Sequence, residues 1–271
     1  MSDFYDIEKS IANKMLYLKH RKDYDAIVSQ LANLDEVTEE MEKLSGHRHY
    51  MIDRIQENIY DIVDRNDEVL LIKFGKYKMN LTDLLIYHKM EKVLMRAIEN
   101  KDVVMQKDNF GNNLGIKAIF EEMENVALKI ATEYPEAVLD KNCLGRTMGM
   151  YAARDGMREV VLEIIKDKNA LLQQDNEGDS IGMYAAKFTD LNPVVVEILK
   201  DEDAATQQNS MGDNIGIIAA KYSNKPIYDK AKQNQIAANQ RNKCHETMID
   251  IASEYGLESM IQTDESDMVG E

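Results

Sequence analysis

Apolar and small residues in the second half of the chain recur in a fixed order. Pairs of alanines occur at Ala152–Ala153, Ala185–Ala186 and Ala219–Ala220. The first pair is followed by an apolar cluster at helical spacing, made of Val160, Val161, Ile164 and Ile165. The pattern predicts a short first helix, whose small side chains let a neighbouring helix pack closely, and then an apolar second helix.

The segment that contains these alanines is repeated along the sequence. Its four clear copies read DNFGNNLGIKAIF from Asp108, NCLGRTMGMYAAR from Asn142, DNEGDSIGMYAAK from Asp175 and NSMGDNIGIIAAK from Asn209. The copies begin 34, 33 and 34 residues apart, and a weaker fifth copy begins at Asn242, with His245 in place of the glycine. A period of this length is typical of a solenoid, in which each repeat buries its apolar face against its neighbours.

Each copy opens with residues typical of a tight turn. An Asn or Asp at the first position caps the turn, and the glycine at the fourth position tolerates positive φ. Thr147, Ser180 and Asn214 come next in their copies, and their side chains can accept a backbone N–H at a helix start. The sequence therefore predicts a turn followed by a helix in every repeat.

This order of turn, NxxGxTxxxxAA, glycine and xEVVxxII resembles the ankyrin repeat. The residues of the second copy that match the family pattern are Gly145, Thr147, Tyr151, Ala152, Ala153, Gly156, Glu159, Val160 and Val161. The resemblance implies an all-α fold, an ankyrin-like solenoid of helix-turn-helix repeats. One departure recurs, since the usual Pro-Leu-His is replaced by triplets such as Met148-Gly149-Met150. We interpret the recurring glycine as a point of close packing between repeats.

The register of the repeats divides the chain into four segments. Residues 1–41 are predicted to form an N-terminal helical cap, because terminal repeats of a solenoid are atypical; a small separate helical domain is the alternative. Residues 42–107 are predicted to hold degenerate repeats, and residues 108–256 the ankyrin-like repeats. The acidic tail, residues 257–271, has few apolar residues and is predicted to be disordered.

Two segments within these repeats are less regular. Helices are expected around 51–55 and 59–63, as a diverged repeat. In the last full unit, the second helix is replaced by the polar segment 225–240, which is rich in Asn and Gln. We expect that segment to be frayed or bound to a partner.

The formal net charge of −16 limits the classes of partner. It argues against direct binding of nucleic acid and against adhesion to anionic membranes. It permits a protein partner with a basic surface, although a well-solvated surface that keeps a solenoid soluble is the simpler explanation. No apolar run approaches the length of a membrane span, and the N-terminus lacks the layout of a signal peptide, so we expect a cytoplasmic protein.

No sequence motif indicates catalysis, a metal site or a cofactor. Cys143 and Cys244 lie three repeats apart and are expected to be unpaired. His47 and His49 are two positions apart, which on a helix directs them to different faces and disfavours ligation of one metal by both. We therefore predict a non-enzymatic protein; an enzyme with a site in the N-terminal helical region, where these histidines lie, is the alternative.

Proteins with ankyrin repeats bind partners on the concave face, through the turn tips and the exposed side of the first helix. The resemblance therefore implies these partner-binding residues: Phe110, Asn112, Leu144, Arg146, Arg154, Glu177, Asp179, Lys187, Phe188, Met211, Asp213 and Tyr222. Their large apolar members are either interface anchors or packed sideways between adjacent turns. Glu177, Asp179 and Asp213 are expected to add negative charge at the same edge, which would complement a basic patch.

The predicted function is that of a protein–protein interaction module, an adaptor or an inhibitor. It follows from the repeat, together with the lack of any catalytic motif. An acidic blocker that occupies the basic groove of a nucleic-acid-handling protein is the alternative, and it rests on the net charge alone.

Overall fold

The computed structural model of the protein describes residues 21–29, 48–74 and 79–257. The described chain is mostly helical, as predicted, and forms two compact units, Met1–Ile130 (unit 1) and Ala131–Glu271 (unit 2). Most of the predicted N-terminal cap and residues 258–271 of the predicted tail lie outside the described residues. Among the residues that are described, no helix combines the length and the apolar composition needed to cross a bilayer.

Unit 1 begins in the described chain with a helix and includes one small hairpin. Its elements are α1 (21–29), α2 (Arg48–Arg65), a 3-10 helix (Asp67–Leu71), β1 (Lys73–Phe74), β2 (Met79–Asn80), α3 (Leu81–Tyr87), α4 (Glu91–Ala97), α5 (Lys101–Met105), α6 (Leu114–Phe120) and α7 (Glu124–Glu133), the last of which ends in unit 2. The strands pair antiparallel, with Lys73 opposite Asn80 and Phe74 opposite Met79. The all-α prediction omitted this hairpin.

Unit 2 consists of helices in a recurring order. They are α8 (Pro135–Leu139), α9 (Met148–Arg154), α10 (Arg158–Ile164), α11 (Lys168–Leu171), α12 (Ile181–Ala185), a 3-10 helix (Thr189–Leu191), α13 (Asn192–Ile198), α14 (Glu202–Thr206), α15 (Ile215–Lys221), α16 (Lys225–Ala231), α17 (Gln235–Asn239) and α18 (Met248–Glu254). Each complete repeat thus has a first helix after the turn, a second helix, and a third, short helix before the next turn.

Three local predictions differ from these elements. The two helices expected around 51–55 and 59–63 are one continuous helix, α2. The polar segment 225–240 is not frayed, because α16 buries Ile227 and Tyr228 and α17 follows it. The third, short helices were not predicted at all.

Equivalent helices of successive repeats contact each other in unit 2. The first helices pack as α9 with α12, α12 with α15, and α15 with α18. The second helices pack as α10 with α13 and α13 with α16, and among the third helices α14 contacts α17. Buried apolar side chains, such as Ile181, Val194 and Ile215, fill the space between them.

The recurring glycine of the first helix is required by this packing. A Cβ atom on Gly149 would lie 2.7 Å from Cδ1 of Ile181, and one on Gly182 would lie 2.5 Å from Cδ1 of Ile215. Both distances are shorter than van der Waals contact allows, so a side chain at either position would require the facing isoleucine or its repeat to shift. The predicted close packing at these glycines is confirmed.

The last repeat departs from both glycine positions at once. The turn glycine Gly212 has positive φ, and a Cβ there would lie 2.9 Å from Cα of Asn242 in the next turn. In the last turn its place is taken by His245, which keeps a positive φ of 65°. The helix glycine is replaced by Ile249, which is exposed. Both replacements occur in the repeat on which no other described repeat stacks, so the constraint that requires glycine is absent there.

The third helices are followed by a glutamine that joins neighbouring repeats. Nε2 of Gln207 and Nε2 of Gln240 each donate to a carbonyl of the preceding repeat, at 2.7 Å. Oε1 of Gln240 accepts a hydrogen bond from Nδ2 of Asn214, which also caps α15 by accepting from a backbone N–H. In the repeat that contains Ser180, that residue makes no side-chain cap bond, and Oε1 of Gln207 has no partner among the described residues.

Side-chain capping of the first helices therefore varies between repeats. The prediction is confirmed for Asn214, whose Oδ1 accepts from the backbone N–H of Ile217 at 2.9 Å. It is wrong for Thr147 and Ser180, which occupy the cap position without a side-chain cap bond.

Candidate functional site

Each turn of unit 2 is fixed by the Asn or Asp at its first position. In the turn that begins at Asp175, Oδ1 of that residue accepts from the backbone N–H groups of Glu177 and Asp179, both at 2.9 Å. The backbone N–H of Gly178 donates to the carbonyl of Asp175 at 3.0 Å. Equivalent bonds hold the turns that begin at Asn142, Asn209 and Asn242. The tip residues are therefore held in defined positions.

Polar side chains at the base of these turns link one repeat to the next. Nε of Arg146 donates to Oδ2 of Asp175 at 3.2 Å. One repeat further on, Nδ2 of Asn209 donates to Oδ1 of Asp179 at 2.7 Å. The residue pair thus differs between junctions, since an arginine meets an aspartate at the first one and an asparagine meets an aspartate at the next two.

Two aspartates of this series also form ion pairs within their own repeat. Oδ2 of Asp213 lies 2.5 Å from Nζ of Lys221, and Oδ2 of Asp179 lies 3.6 Å from Nζ of Lys187. We call Arg146, Asp175, Asp179, Lys187, Asp213 and Lys221 the paired row. Every charge in the paired row faces an opposite charge at close range, so the row adds little net potential at the surface.

The prediction that Asp179 and Asp213 present negative charge to a partner is therefore wrong. Both side chains are buried, and their carboxylates are neutralised by Lys187 and Lys221. Glu177 differs, because its side chain is exposed at the tip of its turn. Among the predicted cations, Arg154 is exposed and pairs with its neighbour Asp155 at 2.6 Å.

Tyr184, in the third repeat, is hydrogen-bonded to a member of the paired row. The hydroxyl of Tyr184 donates to Oδ2 of Asp175 at 2.8 Å. Burial, and then this bond to a carboxylate, raise the pKa of the Tyr184 hydroxyl well above its usual value. The guanidinium of Arg146 lies 5.6 Å from the centre of the Tyr184 ring. Tyr184 is therefore a structural hydrogen-bond donor.

The two predicted partner-binding residues of unit 1 also differ in exposure, one being exposed and the other buried. Phe110 is exposed at its turn tip. Asn112 was predicted there too, but it is buried, because its Nδ2 donates to Oδ2 of Asp108 at 2.9 Å and so closes the turn from inside.

Large apolar side chains remain exposed on the same turns and first helices of unit 2. Phe188, Tyr222 and Tyr255 have exposed fractions of 42%, 56% and 52%, and Leu144 and Met211 are exposed at turn tips. Sideways packing between turns therefore covers only part of each side chain. Tyr255 was missed, although the register of the fifth copy aligns it with Tyr222.

The three aromatic residues occupy equivalent positions, each directly after the residue that aligns with Lys221 in its repeat. We call Phe188, Tyr222 and Tyr255 the aromatic column. The helices that precede them, α12, α15 and α18, pack against one another in sequence. Packed helices lie about 8–10 Å apart, so the aromatic column spans roughly 20 Å.

Lys187 lies over two tyrosine rings, one in its own repeat and one in the next. Its Nζ lies 4.8 Å from the centre of the Tyr184 ring and 5.7 Å from the centre of the Tyr222 ring. Nδ2 of Asn224 donates to the carbonyl of Ala186 at 2.9 Å, which joins the end of one first helix to the next repeat. The exposed ring of Tyr222 thus already has a lysine of the preceding repeat over it.

Groups suited to metal or redox chemistry are scattered. The described residues contain no cluster of three or more His, Cys, Asp or Glu side chains that could hold a metal ion. Cys143 and Cys244 are exposed free thiols at turn tips. His47 and the side chain of His49 lie outside the described residues, so the predicted geometry of that pair stays a prediction.

A cleft of about 680 Å³ opens on unit 1 between α2, α4 and α7. Its cations are already engaged, since Lys92 pairs with Glu57 at 2.5 Å and Arg96 pairs with Asp64 at 2.7 Å. The third, Lys129, donates to a backbone carbonyl at 3.1 Å. The cleft therefore offers a small anion no uncommitted cation.

No protein-family model matches the chain, and no curated protein matches it. Function therefore has to be inferred from the residues and their geometry.

Proposed function

We propose that this chain is a non-enzymatic protein-binding module, an adaptor or an inhibitor, that holds its partner on the aromatic column of unit 2. We further propose that its repeats form an ankyrin-like solenoid with an N-terminal helical cap. The partner contacts the turn tips and the exposed ends of the first helices, which in such a solenoid form the concave face.

The ankyrin-like arrangement is supported by features that recur with the period of the sequence. The turns of unit 2 share the same Asx hydrogen bonds, and the first helices α9, α12 and α15 are each followed by a second helix. The recurring glycines lie against the next repeat, as at Gly149 and Gly182. Contacts between equivalent helices of neighbouring repeats are what a solenoid requires.

One observation carries the binding function: three aromatic side chains are exposed at equivalent positions of three consecutive repeats. Scattered exposed apolar residues are normal on a protein surface, but aligned ones indicate an interaction site. Burying a large apolar side chain at an interface contributes roughly 1.5–3 kcal/mol. Aromatic residues held on a rigid scaffold also lose little conformational entropy on binding, which suits them as anchors.

The turn tips extend this surface. Leu144 and Met211 are exposed where a solvated turn would favour polar side chains. Their backbones are held by the Asx hydrogen bonds at Asn142 and Asn209. An unbranched methionine adapts to irregular partner surfaces, so these tips broaden the contact without fixing its geometry.

The test compares two variants of the full chain in affinity purification from native lysate. The first carries Phe188→Ala, Tyr222→Ala and Tyr255→Ala; the control carries Ile236→Ala, which removes an equally exposed apolar side chain from α17. Thermal unfolding is measured first, to establish that both variants fold. We expect wild type and the control to retain the same partner and the triple variant to lose it. Retention by all three, or capture of no partner by any, would contradict the proposal.

A further inference from the structure

The cations of the turns and first helices of unit 2 are almost all neutralised within the chain. Arg146 pairs with Asp175, and Arg154 pairs with Asp155. Lys187 and Lys221 pair with the buried Asp179 and Asp213. Lys243, at the tip of the last turn, is the one cation of these segments for which the described residues provide no ion pair.

Three carboxylates on these segments or directly after them are not neutralised: Glu177 at a turn tip, Asp190 in the 3-10 helix that follows α12, and Glu254 at the end of α18. Glu177, Asp190 and Glu254 are exposed, and no described residue forms a hydrogen bond or ion pair with their carboxylates. Glu254 immediately precedes Tyr255, and Asp190 follows Phe188 by two residues. Two members of the aromatic column therefore have an uncompensated carboxylate close by in the sequence, while the neighbouring Lys187 and Lys221 are paired within the chain.

Two rings of unit 2, the exposed Tyr222 and the buried Tyr151, already accept cations from the chain itself. Nζ of Lys187 lies within 5.7 Å of the Tyr222 ring centre, and the guanidinium of Arg154 lies 4.8 Å from the Tyr151 ring centre. A cation over an aromatic face is attracted by the ring quadrupole, and a nearby carboxylate adds to that attraction. The same geometry is open to a cation from outside at Phe188, Tyr222 and Tyr255, which are about half exposed.

We propose that the partner is an arginine- and lysine-rich polypeptide segment, whose cations lie over the aromatic column and against Glu177, Asp190 and Glu254. This inference rests on the proposed function and specifies the chemistry of its partner. The net charge of −16 accelerates the encounter with such a segment. An extended chain covers about 3.3 Å per residue, so about six residues span the column.

The direct test uses synthetic probes and the full chain. The probe is a fluorescent peptide of about 12 residues with alternating arginine and alanine, which exceeds the length of the column. A peptide with glutamate in place of arginine is the matched control. Fluorescence anisotropy is recorded at low salt and at roughly 0.3 M salt, where exposed charges are strongly screened. We expect the arginine peptide alone to bind, with an affinity that falls as salt is added.

Two charge variants locate the binding. The site variant carries Glu177→Gln, Asp190→Asn and Glu254→Gln, and the control variant removes the same number of charges from exposed positions elsewhere in unit 2, with Glu133→Gln, Glu159→Gln and Glu202→Gln. We expect the site variant to bind the arginine peptide about tenfold more weakly than wild type and the control variant to bind it within about twofold. The aromatic triple variant is expected to lose at least as much affinity as the site variant.

Three outcomes would overturn this inference: no binding of the arginine peptide, equal binding of the glutamate peptide, or equal loss in the site and control variants. The proposed function fails separately. Suppose that the aromatic triple variant loses a protein partner, while the site variant binds the same partner with unchanged affinity that does not depend on salt. This result would support the binding module but would refute a basic segment as its partner.

Discussion

The paired row and the aromatic column run along the same turns and first helices of unit 2, but they serve opposite purposes. Asp179 and Asp213 are buried and bonded to neighbouring repeats as well as to lysines of their own. Phe188, Tyr222 and Tyr255 are exposed and have no comparable role in packing. The charges join neighbouring repeats, whereas the exposed rings form the surface that we propose for a partner, which reverses the usual expectation for a surface.

The difference shows why charge in a sequence is a poor indicator of a binding surface. A charged residue near a repeat turn can form all of its bonds within the chain. The carboxylate of Asp175, for example, accepts hydrogen bonds from both Arg146 and Tyr184. The exposed rings form fewer such contacts: among the described residues, Lys187 lies 5.7 Å from the Tyr222 ring centre. Stability and binding are therefore expected to respond to different substitutions.

The largest effect on stability is expected at Asp175, a member of the paired row. Asp175→Ala removes the acceptor for two backbone N–H groups, for the Tyr184 hydroxyl and for Arg146. Because buried donors are left without partners, we expect a loss of about 3–4 kcal/mol in the free energy of unfolding, measured in urea.

Asp175→Asn is the matched control for that variant, since asparagine occupies the equivalent position in the turns at Asn142 and Asn209. It keeps Oδ1 for the backbone and loses the charge that Arg146 faces, so its cost should be clearly smaller. Equal stability of the alanine and asparagine variants would show that the Asx bonds do not hold the turn.

The next largest effect on stability is expected in α12, the helix that precedes Phe188 of the aromatic column. Gly182→Ala in α12 introduces a Cβ that meets Cδ1 of Ile215, and we expect a loss of about 1–3 kcal/mol by overpacking. Ile215→Val removes that Cδ1, so the double variant should recover part of the loss in a double-mutant cycle. Additive costs would mean that the two positions do not press on each other.

A smaller effect of opposite sign is expected at the cap of α12. Ser180→Asn reproduces Asn214, which caps its helix and donates to the glutamine of its repeat. The substitution supplies a donor for the unpartnered Oε1 of Gln207, so stability should rise by about 1 kcal/mol. The reverse change, Asn214→Ser, should lower stability by a similar amount, and a loss on Ser180→Asn would contradict this account.

The smallest effect on stability is expected from the aromatic column itself. Phe188→Ala, Tyr222→Ala and Tyr255→Ala, each made alone, should change the free energy of unfolding by about 1 kcal/mol or less, because each ring is already about half exposed. Urea unfolding of each single variant checks this. A loss as large as that of Asp175→Ala would mean that the rings belong to the core and would end the contrast with the paired row.

The same sequence pattern occurs in several repeats. It was therefore possible to predict the turns, the first and second helices and the glycine contacts. Gly149 and Gly182 indicated close packing, and their short approaches to Ile181 and Ile215 confirm it. The third helices were missed because they are only four or five residues long, as at Lys168–Leu171, and too short for a helical period to emerge.

The candidate site was predictable only in part. The exposed rings at Phe188 and Tyr222 followed from the repeat register, and Tyr255 could have been added by the same register. The burial of Asp179 and Asp213 could not be predicted from their own repeats, because the lysine that neutralises each lies eight residues away and the asparagine bonded to each lies in the next turn. Such pairing depends on how the repeats stack.

The most direct test of the central claim is backbone hydrogen exchange of the full chain, with and without the captured partner. We predict added protection at the ends of α12, α15 and α18, around Phe188, Tyr222 and Tyr255, and at the turn tips of unit 2. Protection confined to the second helices α10, α13 and α16, or to unit 1, would contradict it.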